Sequence, residues 1–61
     1  MSGVTYLVVE RGATDHERIV AEFERLDEAV LHALIQYSED ERDRRGVMVC
    51  RDEDGRRAYE F

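Results

Sequence analysis

The chain has 61 residues, with 15 acids against nine arginines, no lysine and a formal net charge of −6. A polypeptide this short makes one domain, residues 1–61, and buries only about 60% of the surface its unfolded form exposes, so it is marginally stable and self-association is a common remedy. The charge argues against general affinity for DNA or RNA, while a lone cysteine, Cys50, excludes an internal disulfide and, with two histidines, a four-ligand structural zinc site.

Other exclusions follow from the same residues. No apolar run approaches the roughly 18 residues that span a bilayer, and the chain does not open on a basic segment followed by an apolar one. A reduced, cytoplasmic setting is therefore expected. The acidity itself has two readings: the arginine-for-lysine, acid-rich bias of a high-GC or salt-adapted genome, or an acidic surface that engages a basic partner.

In chain order, Val4–Glu10 predicts a strand apolar on both faces, Val4, Tyr6 and Val8 on one and Leu7 and Val9 on the other, which marks a central strand. Arg11–His16 supplies turn chemistry, with Gly12 for positive φ and Asp15 for a side-chain bond to backbone. A second strand is expected from about Glu17 to Phe23, where Ile19, Ala21 and Phe23 alternate with polar neighbours. The competing reading is a single helix from Asp15 to Arg44, opened by Thr14-Asp15-His16-Glu17 as a capping box. It finds support in the heptad rhythm of Ile19, Phe23, Leu26, Val30, Ala33 and Tyr37. Such a helix, roughly 45 Å long, would overhang any sheet the remaining residues could form.

From Leu26 the apolar period becomes helical, and a helix is expected to run to about Arg44. Asp27 and Glu28 near its start, Arg42, Arg44 and Arg45 near its end, and Gly46 as C-terminal cap suit the helix dipole. Its inward stripe is Leu26, Val30, Ala33, Leu34 and Tyr37, whereas Leu31 and Ile35 lie roughly 100° away. Val47–Arg51 and Arg57–Phe61 then predict a hairpin through Asp54-Gly55, in which Met48 faces Phe61, Cys50 faces Tyr59 and Asp52 faces Arg57. The expected fold is α+β, ββαββ, a four-stranded antiparallel sheet with one helix packed on one face; the alternative is β, long α, β, β.

The element order, the helix entry Phe23-x-x-Leu26-x-Glu28-Ala29 and the final Asp54-Gly55-Arg56 turn together resemble a group of small bacterial ββαββ domains of unknown function. That resemblance spans most of the chain and implies the fold alone, since these residues serve helix entry and turn formation.

Sites of chemistry are scarce. Cys50 is the one strong nucleophile by type, but mid-strand between Val49 and Arg51 it reads as a small packed residue. Glu28 with His32, and Glu39 with Asp43, each offer only two metal ligands at helical spacing. Asp52-Glu53-Asp54-Gly55 lacks the outer ligands of a calcium loop, with Cys50 and Phe61 at the positions that would need acids. No catalytic residue, metal or cofactor is expected. A nucleic-acid interface would have to use Arg42, Arg44, Arg45, Arg51, Arg56 and Arg57 with the aromatics Tyr6 and Tyr59, against the interleaved Asp40, Glu41, Asp43, Asp52, Glu53 and Asp54.

The remaining expectation is a non-catalytic acidic protein-interaction module, a small inhibitor or regulator of a partner with a basic surface. Its binding residues would be Glu22, Glu24, Asp27, Glu28, Glu39, Asp40, Glu41 and Asp43. In size and charge alone this resembles compact inhibitors, some phage-encoded anti-CRISPR proteins among them, that fill a basic nucleic-acid channel by imitating phosphate. Leu31 and Ile35, with Leu7 and Val9, are an apolar surplus that points to a homodimer. A homodimeric structural domain and a weak nucleic-acid binder are the alternatives.

Overall fold

The computed structural model describes residues 3–12 and 16–61. Four strands, β1 (Val4–Glu10), β2 (Arg18–Phe23), β3 (Val47–Glu53) and β4 (Arg56–Tyr59), form one antiparallel sheet in the order β2-β1-β3-β4. Helices α1 (Leu26–Gln36) and α2 (Glu39–Arg45) connect β2 to β3. This is the expected α+β, ββαββ arrangement, with β1 central as its two apolar faces require. The long-helix alternative is not adopted: Arg18–Phe23 pairs with β1, and a bulge at Val20 shifts the register between Val8–Ala21 and Val9–Ile19. Gly12 has the expected φ of +65°, whereas Ala13, Thr14 and Asp15, and with them the Asx turn and the capping box, lie outside the described residues.

The single helix expected over Leu26–Arg44 is two helices. Tyr37 is extended, and Ser38 starts α2 by accepting a 3.2 Å hydrogen bond from the Glu41 N–H while its hydroxyl donates to the Glu41 carboxylate at 3.4 Å. Glu39, Asp40 and Glu41 explain the break: three successive acids are favoured in a first turn, facing the positive end of the dipole, and disfavoured in mid-helix beside one another. Ser38→Ala should therefore cost about 1 kcal/mol of stability, read as a lower urea midpoint at unchanged slope.

Gly46 closes α2 at φ +64°, and this junction is tied back to the end of β1. The Arg11 and Gly12 N–H groups donate to the Gly46 and Arg45 carbonyls at 3.2 and 2.6 Å. A Cβ on Gly46 would sit 3.3 Å from the Gly12 nitrogen. Gly46→Ala should lose about 1–2 kcal/mol from the left-handed backbone alone, with crowding added, and a chemical denaturation curve will show it.

The β3–β4 hairpin has the expected register, Cys50 opposite Tyr59 and Asp52 opposite Arg57, across a turn in which Asp54 and Gly55 both have positive φ, 53° and 82°. Regular pairing runs to Tyr59. Beyond it the Glu60 and Phe61 N–H groups share the Val49 carbonyl, so Met48 does not meet Phe61 in the ladder.

On the helix side of the sheet, Val8, Val47 and Val49 pack against Ala29 and Ala33, with Tyr6, Phe23, Val30 and Tyr37 around them. Two alanines four apart let α1 approach the sheet closely, and the sheet supplies the bulk. The expected inward stripe is thereby rotated: Ala29 is buried, and Leu26 and Leu34 are turned out. On the opposite side, Leu7, Val9 and Cys50 form a second buried cluster with Met48 beside it. Leu7 and Val9 are therefore not part of an intermolecular surplus.

What covers that far side is a polar strap. The Tyr59 hydroxyl donates to Glu17 at 2.5 Å and accepts from the Arg11 guanidinium at 3.0 Å, which also lies 5.5 Å over the Tyr59 ring. Arg57 joins Asp52 at 3.4 Å and Glu17 at 3.7 Å. Both ends of the β1–β2 connection thus reach β4 side chains across the buried cluster.

Candidate functional site

The eight acids expected to bind a partner are divided by α1 into two groups. Glu22 lies opposite Leu7, on the face of the sheet away from the helices, and Glu24 stands in the bend before α1. Asp27 and Glu28 occupy the first turn of α1, and Glu39, Asp40 and Glu41 the first turn of α2, with Asp43 one turn further on. α1 and the extended Tyr37 stand between the two groups.

Two of the eight are committed within the chain. Asp27 pairs with Arg25 at 3.1 Å and accepts the Glu28 N–H at 3.0 Å. The Arg25 hydrogen bond holds its carboxyl below the usual range. Glu41 caps α2 through Ser38 and lies 3.8 Å from Arg45. Among the described residues Glu22, Glu24, Glu28, Glu39, Asp40 and Asp43 have no ion pair. Glu39, Asp40 and Asp43 line an open cleft of 600 Å³ whose apolar lining is Val47, Met48 and Phe61.

The arginines are distributed differently. Arg42 donates to the Tyr37 carbonyl at 3.1 Å, and Arg45, Arg51 and Arg57 are paired with Glu41, Glu53 and Asp52. Arg51 and Arg57 lie on opposite faces of the sheet, since they are separated by one position of the β3–β4 register. Tyr6 packs on the helix-side core and Tyr59 in the polar strap of the far side. The two tyrosines thus do not share a stacking surface.

The two-ligand pairs gain no third member. His32 packs against Phe23, ring centroids 5.2 Å apart, and among the described residues no group of three or more His, Cys, Asp and Glu side chains could hold a metal ion. No described helix is long and apolar enough to cross a membrane.

Cys50 has no accessible surface, and burial, assisted by the Glu17 and Asp52 carboxylates and opposed by Arg57, raises its thiol above the ordinary value. A nucleophilic thiol needs the opposite setting, exposed and electropositive. The native chain should react with a disulfide reagent at neutral pH at least about a hundredfold more slowly than the chain in denaturant, timed by thiolate release. Equal rates would return Cys50 to the list of reactive groups.

On the outer face of α1, Leu31 and Ile35 lie off the core as the periodicity expects, and Leu34, expected inward, joins them. Leu31, Leu34 and Ile35 are 56%, 46% and 68% exposed, and at spacings of three and four they make one apolar stripe. The inward stripe read from periodicity includes Leu34, and the structure turns it out. The signal that could have corrected this is the Ala29–Ala33 pair, which offers the sheet a flatter contact than the leucines do. Comparison with protein-family models, curated proteins and solved structures yields no match.

Proposed function

We propose that this protein is a non-catalytic acidic interaction module, a small inhibitor or regulator that binds a basic surface on a partner protein. The supporting observation is the asymmetry between its charges. Glu22, Glu24, Glu28, Glu39, Asp40 and Asp43 have no ion pair among the described residues, whereas most of the C-terminal arginines are occupied within the chain. Carboxylates left available around a domain of net charge −6 steer association toward Arg and Lys, with a rate that falls as salt rises. The likeness to small bacterial ββαββ domains contributes no activity to this reading.

A titration of labelled poly-lysine tests it, with labelled single- and double-stranded DNA and RNA as counter-ligands at low salt. Binding to the polycation should weaken in the variant Glu39→Gln with Asp40→Asn and Asp43→Asn, and less so in Glu53→Gln with Asp54→Asn and Glu60→Gln, which carries the same net charge. Equal weakening in both would reduce the effect to overall charge. Binding to a nucleic acid in preference to the polycation would support the nucleic-acid alternative instead.

A further inference from the structure

Strand β3 begins before the chain that covers its outer edge reaches it, and the cleft beside α2 lies at that start. We infer that this cleft is a docking groove for an extended peptide segment of a partner protein, one in which Arg or Lys alternates with apolar residues. The inference rests on the acidic-module reading and adds the place, the backbone form of the occupant and its side-chain pattern.

Regular β3–β4 pairing spans Cys50–Glu53, and the bonds of Glu60 and Phe61 reach back only to Val49. In an antiparallel ladder the backbone groups of successive residues turn to opposite edges. Those of Val49 face β4, so those of Val47 face the same way, and those of Met48 face β1. The Gly46 carbonyl, which accepts from Arg11 on the β1 side, fits the same alternation. Among the described residues no strand stands opposite Val47 on the outer edge. Its N–H and C=O therefore open on the cleft that Val47 lines, and a free edge of this kind is a template for another extended chain.

The walls of the cleft select the side chains. Met48 is partly exposed beside the cluster of Leu7, Val9 and Cys50, and Phe61 is 49% exposed. They line the same cleft as the exposed Glu39, Asp40 and Asp43, which have no ion pair among the described residues. The base in the lining, Arg42, donates to the Tyr37 carbonyl at 3.1 Å. Apolar surface and unpaired carboxylates in one cleft suit aliphatic stems with cationic heads and apolar side chains beside them. An extended segment supplies both, because its successive side chains point to opposite sides. A nucleic acid would set phosphates against these carboxylates. A second copy joined edge to edge about a two-fold axis would bring its own α2 acids to the same place, so like charges oppose it.

The test compares two fluorescein-labelled five-residue peptides of equal charge by anisotropy at low salt, one alternating valine with arginine and the other serine with arginine. Wild type should bind the valine peptide at least about fivefold more tightly, and Phe61→Ala, at an exposed position, should bring the two within about twofold. Glu39→Gln with Asp40→Asn and Asp43→Asn should weaken both peptides at least about fivefold relative to the charge-matched Glu53→Gln with Asp54→Asn and Glu60→Gln. Saturating valine peptide should slow hydrogen exchange at the Val47 amide at least about tenfold, as a new strand on that edge requires. Equal affinity of wild type for the two peptides, a preference that survives Phe61→Ala, equal weakening in the two acid variants, or unchanged exchange at Val47 would each overturn the groove, and the acidic module would stand so long as poly-lysine binds. Failure of poly-lysine to bind the wild type would instead remove the acidic reading underneath.

Discussion

Ala33→Leu should lower the melting temperature by on the order of 10 °C, while Ile35→Gln two residues later leaves it nearly unchanged. Ala33 is fully buried between α1 and the strands carrying Val8 and Val49, so three added carbons must displace either the helix or the sheet. Overpacking of this kind costs about 1–3 kcal/mol, and in a domain of this size each kcal/mol is worth about 4–8 °C. Ile35 is mostly exposed, where substitutions stay within about 0.5 kcal/mol, and Leu34→Gln should cost less than about 1 kcal/mol. The helical stripe expected from periodicity makes the opposite prediction, since it places Leu34 in the core, where truncation costs about 2–5 kcal/mol. Differential scanning calorimetry on the three variants separates the two orientations of α1, and a large loss at Leu34 would mean that the helix presents its leucines to the sheet.

Much of the fold is legible in the residues because local signals agree with one another. The β-branched, two-faced apolar run Val4–Glu10, Asp-Gly at positions 54 and 55 and Gly46 after a basic turn each name one conformation, and the structure has all three. Two misreadings concern α1 and α2, and both come from signals that compete. Ser38-Glu39-Asp40-Glu41 contains a capping box, but the apolar period running through Ala33 and Tyr37 continues over it and suggests one helix. Likewise, Leu26, Val30, Leu34 and Ala29, Ala33, Tyr37 are both helical stripes about three residues out of phase. Hydrophobicity favours the first, whereas the closeness of helix to sheet favours the second. The far side of the sheet was illegible for another reason. Its cover consists of Arg11, Glu17, Arg57 and Tyr59, distant in sequence and polar in character, and only the strand order brings them together. The acidic residues are easily named from the sequence, but their separation by α1 and the break at Tyr37 is hidden by the apolar period that runs through Ala33 and Tyr37.

Raising the pH above about 9 should lower the protein's melting temperature progressively, because three groups in it hold their protons more tightly when folded. Burial, reinforced by Glu10, raises the Tyr37 phenol above its ordinary value of 10.0; the hydrogen bond to Glu17 does the same for Tyr59, and burial for Cys50 above 9.0. The folded state therefore binds more protons than the unfolded chain as pH passes through these values. Stability from this source is complete below the unfolded thiol and phenol pKa values and is lost as pH rises toward the folded ones. Each deprotonation also damages a particular contact. The Tyr37 hydroxyl donates to Glu10 at 3.3 Å, tying the end of α1 to β1, and a phenolate there would face a carboxylate. At Tyr59 the same change would set a phenolate against Glu17, with Arg11 as partial compensation, and loosen the strap over Leu7, Val9 and Cys50. Melting temperatures from about pH 8 to about pH 11, followed together with tyrosinate absorbance, should fall across that range with tyrosine ionisation appearing late and steeply. Tyr37→Phe with Tyr59→Phe should melt lower at pH 8, having lost two donors, and decline less above pH 10. A wild type whose melting temperature holds constant through the whole range would show that neither phenol is protected by the fold, and that the polar strap is open in solution.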